Sequence, residues 1–330
     1  MSHSLKVAAA LLLAGMLYAP GVNQAAAQQK YPTRPITMIV ALPAGGIVDV
    51  LARKIGKALE PKGYTFVVEN KAGANTQIAA NACKNATPDG YTICLVTSTT
   101  MTLNPVLYKT LTYDPMKDFV PLTNIAFVEH MMILNPSVPV NNFKELVAYS
   151  KAHPDKLNYG TFGIGGDAHL AFEWIKKVTG AQMTHIPYRG AAPAMLAFTR
   201  DEAQVLILTP GNGSLLEQVK EGKIKALAVE GDRRISVLPN TPSYKEVGLP
   251  PFPARSWFAL FAPKGVPKAI VEKLGADLAA AIRDPAMQKD FMVPNGLDPV
   301  GNSPEEFAKF LPQSIADGKR FVEISGVTLQ

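Results

Sequence analysis

The chain has 330 residues, a net charge of +6, 47% apolar side chains and two cysteines. That length allows two domains, each with its own core. The positive charge is mild and dispersed, with no basic run interleaved with aromatics, which argues against nucleic acid and leaves a weak preference for anionic solutes.

In chain order, Lys6, an apolar run over 7–18 and Ala25-Ala26-Ala27 have the layout of a secretory signal. The run is too short to span a bilayer. Cleavage is expected after Ala27, so residues 1–27 are set apart from the fold; an uncleaved N-terminal anchor is the alternative. Loss of Lys6 leaves the mature chain one positive charge lower. No cysteine follows the run, so a lipoprotein anchor is not available, and no later stretch is long and apolar enough to cross a membrane.

Strands and helices then alternate. A strand over 36–42 meets the turn Ala44-Gly45-Gly46 and a helix over 47–59, with Ile47, Leu51, Ile55 and Leu59 on one face. The glycines permit the tight turn. The helix start presents unpaired N–H groups and a positive dipole end, a ready anion site. A strand over 66–69, a helix over 77–85 and a strand over 91–96 follow. Cys83 and Cys94 fall on that helix and strand, and an oxidising compartment favours a bridge between them. Two separate buried thiols are the alternative.

Met131 opens another strand, to 134. Asn142 to Glu145 resembles a capping box, and its helix must stop near His153, because Pro154 follows. The pattern then restarts: a strand over 158–161, a glycine turn, a helix over 168–179 closed by Gly180. A strand over 184–186 and a helix over 192–199 come next. Strand 205–208, helix 215–221 and strand 226–229 complete the run. An extended run over 257–262 and two helices, starting near Pro267 and at Ser303-Pro304, close the chain. The repeated unit predicts two α/β domains with mostly parallel sheets. The first takes residues 28–127 and 256–330, the second 128–255. Extended hinge crossings fall near 127–132 and 255–261. Ligands of open α/β sheets bind at the carboxyl ends of strands, so the two domains face each other across a cleft.

Catalytic patterns are missing. There is no P-loop, no G-x-G-x-x-G and no G-x-S-x-G. His130, His153, His169 and His185 lack metal-ligand spacing. His169, at a helix start, reads as a loop-fixing side chain or one near the ligand. Thr97, Ser98, Thr99 and Thr100 offer hydroxyls after a buried strand. Arg189 offers a bidentate fork for a carboxylate, or is a plain surface arginine. Export, an anion-ready loop and no catalytic set together suggest a solute receptor.

Many short stretches carry a resemblance. They include Tyr31-Pro32-Thr33-Arg34-Pro35, Pro43-Ala44-Gly45-Gly46-Ile47-Val48-Asp49, Val67-Val68-Glu69-Asn70 and Pro88-Asp89-Gly90-Tyr91. Further along come Asn104-Pro105, Tyr113-Asp114-Pro115, Leu157-Asn158-Tyr159, His185-Ile186-Pro187-Tyr188-Arg189-Gly190 and Ser256-Trp257-Phe258. With them the chain resembles the substrate-binding receptors of tripartite tricarboxylate transporters, the Bug-type periplasmic proteins. The resemblance implies a type II periplasmic binding protein of the flytrap kind, α/β in both domains, with ligand in the interdomain cleft. It implies a small carboxylate ligand and delivery to integral membrane subunits. A monomer is expected, with no cofactor, metal or catalytic role.

By the same resemblance, Ala44, Gly45, Gly46, Ile47, Asp49, Thr97, Ser98 and Thr99 contact ligand from one domain. Gly163, Gly166, Asp167, Ala168, His169, Arg189, Gly190, Ala191 and Thr209 face it from the other. The chain departs from the family where Ile47 and Val48 replace Gly and Thr or Ser. It departs again where Gly166, Ala168 and Ala191 replace hydroxyl residues, and where Thr209 replaces an Asp that meets a ligand ammonium. Fewer hydroxyls point to an aromatic or medium-chain carboxylate. Loss of the Asp disfavours an α-amino acid, while Asp167 is the opposing clue, able to pair with an amine or repel an anion. The alternatives to a transport receptor are a ligand-binding sensor without a transporter and an exported enzyme on the same scaffold.

Overall fold

The computed structural model describes residues 31–328. The expected export signal and its cleavage point lie outside the described residues. From Arg34 onward the chain forms one compact unit. No helix among the described residues is long and apolar enough to cross a membrane.

Two sheets organise that unit. The first contains β1 (Ile36–Val40), β2 (Phe66–Asn70), β3 (Thr92–Thr97), β4 (Phe119–Val128), β10 (Trp257–Pro263) and β11 (Leu297–Pro299), in the order β11-β4-β10-β3-β1-β2. The second contains β5 (Met131–Leu134), β6 (Asn158–Thr161), β7 (Thr184–Pro187), β8 (Val205–Leu208) and β9 (Lys225–Val229), in the order β7-β6-β8-β5-β9. Each sheet with its helices is called a lobe below. The chain passes from the first sheet to the second between β4 and β5, and returns between β9 and β10.

The sheets are more mixed than the alternating pattern implies. β1 runs parallel to β2 and β3, and β6 parallel to β7 and β8. β10 is antiparallel to β3 and β4, β11 to β4, and β5 to β8 and β9. The antiparallel strands are those flanking the crossings and the short return strand β11. β8 and β9, joined through the Leu215–Lys220 helix, run parallel to each other, as do β10 and β11, joined through the Lys268–Ile282 helix; the antiparallel contacts arise because β5 is inserted between the first two and β4 between the second two.

β4 carries no strand signal in the sequence, because Pro121 and Asn124 interrupt its apolar run. The topology explains why both are tolerated. β11 pairs only with Ala126–Val128 of β4, so the Pro121 half has an open edge where a missing N–H costs no ladder bond.

Helix ends follow the cap residues. Asn142 accepts from the Glu145 N–H at 2.9 Å, and Ser303 and Glu306 form a reciprocal capping box. The Pro304–Ser325 helix spans both cores: Phe307 and Leu311 join the first lobe's cluster, Phe321 and Val322 the second's. Its anchor is Trp257, whose Nε1 donates to Ser314 Oγ at 2.8 Å beneath a perpendicular Phe307 ring. Cys83 and Cys94 are joined in a disulfide, with Cα atoms 6.1 Å apart. It ties the Gln77–Lys84 helix to β3.

Candidate functional site

The loops that follow β1, β3, β6, β7 and β8 carry nearly all the residues expected to face a ligand. Gly46 precedes the Ile47–Leu59 helix and Gly166 the Asp167–Thr179 helix, and no side chain caps either one. Both helices therefore begin with free N–H groups and a positive dipole end.

The two lobes touch through these loops. A Cβ placed on Gly190 would lie 3.3 Å from Pro43 Cγ, and one on Gly166 3.9 Å from Asn75 Oδ1. One on Gly211 would lie 2.3 Å from Asn295 Oδ1 and 2.6 Å from Asn295 Cβ. Thr99 Oγ1 donates to Asp167 Oδ2 at 2.9 Å, and Ser98 Oγ to the same oxygen at 3.4 Å. At the Gly211–Asn295 approach a cavity of about 240 Å³ lies between Gly45, Ile47 and Val50 on one side and Gly211 and Asn212 on the other, with Phe291 at its wall; Gly45 and Ile47 are the expected residues that line it. A larger cavity, about 420 Å³, sits among Glu129, Arg233, Ser236 and Asp298 and contains none of the expected residues. The smaller one, at the strand ends, has the position expected of a solute site.

Asp49 is held within its own loop. Its carboxylate accepts from Gly45 N–H at 3.0 Å and from Arg53 at 3.0 and 3.2 Å. Burial pulls this carboxyl upward, but Arg53, the Gly45 amide and Asn70 outweigh it and hold it below the usual value. Asp49 is thus a brace for the 43–46 loop. Ala44 and Gly45 are exposed, and Gly45 adopts φ +80°, which requires glycine.

Asp167 is partly buried. Burial pushes its carboxyl up, opposed by His130 and the Thr99 hydroxyl. His130 and Glu230, at the two crossings, meet at 3.0 Å between Nδ1 and Oε2, and Glu230 N–H donates to the His130 carbonyl at 2.9 Å. Burial opposes charge on His130, but Glu230 more than compensates and holds the imidazole above its ordinary value. Asp167 also contributes to that field.

His169 fixes its loop. Its Nδ1 accepts from Gly165 N–H at 3.1 Å, and its ring stacks on His185 with centroids 4.1 Å apart. His185 in turn meets Thr161 Oγ1 at 2.6 Å and stacks on Tyr159. Burial, helped by His169, pulls His185 from 6.5 down to about 4. The fold holds the neutral ring, so its contribution is complete above pH 6.5 and is lost as pH falls toward 4. His185→Gln, which keeps a polar partner for Thr161 but does not titrate, should flatten the pH dependence of the urea midpoint in that window. An unchanged slope would remove His185 from the acid response.

The remaining expected residues divide. Arg189 is exposed and has no ion pair among the described residues. Gly163 O accepts from the Thr161 hydroxyl at 3.1 Å, Ala168 and Ala191 are partly exposed, and Thr209 is buried with its hydroxyl held by Asn212 Nδ2 at 2.7 Å. Thr97 is buried and its hydroxyl has no hydrogen-bond partner.

His130, Glu230, Asn75, Asn212 and Asn295 are additions that no sequence pattern marks. Asn75 lies in the run Ala74-Asn75-Thr76, where three consecutive non-glycine residues have positive φ. Asn104 holds that run through bonds of 2.8 and 2.7 Å to Asn75. Strain of this kind persists only where surrounding contacts enforce it, and here it lies against the opposite lobe.

Comparison with known proteins agrees with this layout. A family model described as "Tripartite tricarboxylate transporter family receptor" matches residues 48–327. A UPF0065 protein of Bordetella pertussis is 35% identical over 288 residues, covering 86% of this chain and 87% of that protein. Rpa4515 of R. palustris, solved with adipate, is 31% identical with a TM-score of 0.84, covering 91% of this chain and 100% of that one. MatC from Rhodopseudomonas palustris, solved with bound malate, is 27% identical with a TM-score of 0.80, covering 88% and 100%. The two-lobed α/β architecture is therefore that of the periplasmic binding proteins, the flytrap fold that the resemblance implied.

Proposed function

This chain belongs to the tripartite tricarboxylate transporter receptor family, and from that premise we propose that it acts in the periplasm as a receptor. It captures a small carboxylate between its lobes and delivers it to the integral membrane subunits of a tripartite transporter. Export by the N-terminal signal places it there, and it performs no chemistry on the solute. Residues 28–127 with 256–330 form one domain, 128–255 the other, and the crossings between them act as hinges.

The observation that carries this reading is the set of close approaches across the cleft. Gly190 approaches Pro43 closely, and Gly211 meets Asn295 where a side chain has no room. The uncapped start of the Ile47–Leu59 helix supplies positive potential at the cavity, and the exposed Arg189 stands next to Gly190 at its approach to Pro43. A carboxylate that contacts both lobes stabilises the closed form by its differential affinity. Adipate on Rpa4515 and malate on MatC support the same ligand class here.

Thermal denaturation of the stripped mature protein against aliphatic, aromatic and amino carboxylates, with neutral amides as controls, tests the reading. A carboxylate that binds only the folded form raises the melting temperature by mass action. A shift with carboxylates and none with neutral amides that lack a carboxylate is expected. No shift with any carboxylate would overturn the assignment. Arg189→Ala should weaken the best carboxylate about tenfold or more, with an unchanged melting temperature in its absence. Equal affinity in the variant would take Arg189 out of the site.

A further inference from the structure

The hydroxyls of Ser98 and Thr99 stand where a ligand carboxylate would find donors at the end of β3. Each hydroxyl has a single proton to give. Both protons are already directed at Asp167 Oδ2, at 3.4 and 2.9 Å. Ser98 Oγ also accepts from the Trp257 N–H at 3.3 Å, so both its roles are in use. Asp167 thus takes the place of an incoming carboxylate on these donors. Its Oδ1 accepts no hydrogen bond among the described residues, and neighbouring Thr97 has a buried hydroxyl without a partner. Beyond Asp167 lies the His130–Glu230 pair, in which Glu230 engages the imidazole at 3.0 Å, and Asp167 has no ion-pair partner of its own among the described residues. Of these three hydroxyls only Thr97 keeps an unspent proton, so this corner of the cleft offers a solute chiefly the acceptors of Asp167.

We propose that Asp167 makes the receptor selective for a carboxylate whose other end is a hydrogen-bond donor, an ammonium or an amide, over a dicarboxylate of the same length. The proposal rests on the receptor reading above and specifies its solute. The ligand carboxylate goes to the helix-start and Arg189 side of the cleft. Its donor end meets Asp167 Oδ1. A second carboxylate at that end would meet Asp167 across a partly dry gap, where like charges repel and one of the two must take up a proton.

Matched probes test this by isothermal titration. The panel is dicarboxylates of four to eight carbons, their monoamides and the corresponding ω-amino acids. Terephthalate, 4-carbamoylbenzoate and 4-(aminomethyl)benzoate provide the aromatic set. The wild-type protein should bind a donor-ended member at least tenfold more tightly than the dicarboxylate of equal length. Asp167→Ser, which returns the Ser98 and Thr99 protons to the cleft, should reverse that order. A wild-type preference for dicarboxylates overturns the proposal while leaving the receptor reading intact. So does an order unchanged in a folded Asp167→Ser protein. Binding by no member of any class overturns both. If Asp167→Ser does not fold, the wild-type order alone decides.

Discussion

Gly211→Ala should leave the fold in place and weaken solute binding about 5- to 150-fold. Gly211 does not adopt a left-handed φ, so alanine is not strained by its own backbone. Its new Cβ meets Asn295 across the cleft, at 2.3 Å from Oδ1 and 2.6 Å from Cβ. Asn295 cannot swing aside freely, because its Nδ2 donates to the Phe291 carbonyl at 2.6 Å and its Cβ moves only with the backbone. Overpacking of this kind costs about 1–3 kcal/mol, which is the stated range of affinity. If the receptor opens between its lobes as proposed above, the cost falls on the closed form, in which the two residues meet. Gly213→Ala is the matched control. Gly213 has φ +60° with nothing near its Cβ, so alanine there strains the loop without obstructing closure. The first variant should lose affinity at constant urea midpoint, and the second should lose about 1 kcal/mol of stability with closure unhindered. Equal affinity in Gly211→Ala and wild type would show that ligand capture does not need this approach.

Such a contact is not legible in the chain, because it joins residues 84 positions apart through two loops that each look ordinary. What was legible had a local cause. The apolar runs of β1, β5 and β8 mark buried strands, and the caps at Asn142 and Ser303 mark helix starts. The glycine turns before Ile47 and Asp167 mark the strand-to-helix loops of the site. β4 was hidden because tolerance of Pro121 depends on which half of the strand β11 covers. Asp49 illustrates a nearer limit. The resemblance marks it as a ligand contact, and in the structure its carboxylate is bonded to Arg53, four residues on. That spacing of four was the available signal. His130 and Glu230 lie on separate crossings and acquire their meaning only when β5 and β9 pair.

Removing the disulfide should produce the largest loss of stability. A bridge across a separation of 11 residues restricts the unfolded chain by about 3 kcal/mol in the loop-entropy account. Cys83 and Cys94 are both fully buried in the first lobe's core, so the Cys83→Ala, Cys94→Ala protein also loses the packing of two sulfurs. Dithiothreitol separates these effects, because reduction removes the crosslink and keeps the sulfur atoms. Urea unfolding of the oxidised protein, the reduced protein and the double variant should give midpoints in descending order. The first gap should correspond to about 3 kcal/mol and the second to a smaller packing cost. The site itself should respond less than the fold. β3 is held on one side by β1 and on the other by β10, and these ladders, rather than the bridge, position Ser98 and Thr99. Reduced protein well below its midpoint should therefore bind the same carboxylate with similar affinity. Coincident midpoints for oxidised and reduced protein would mean that the unfolded chain is already restricted across this turn.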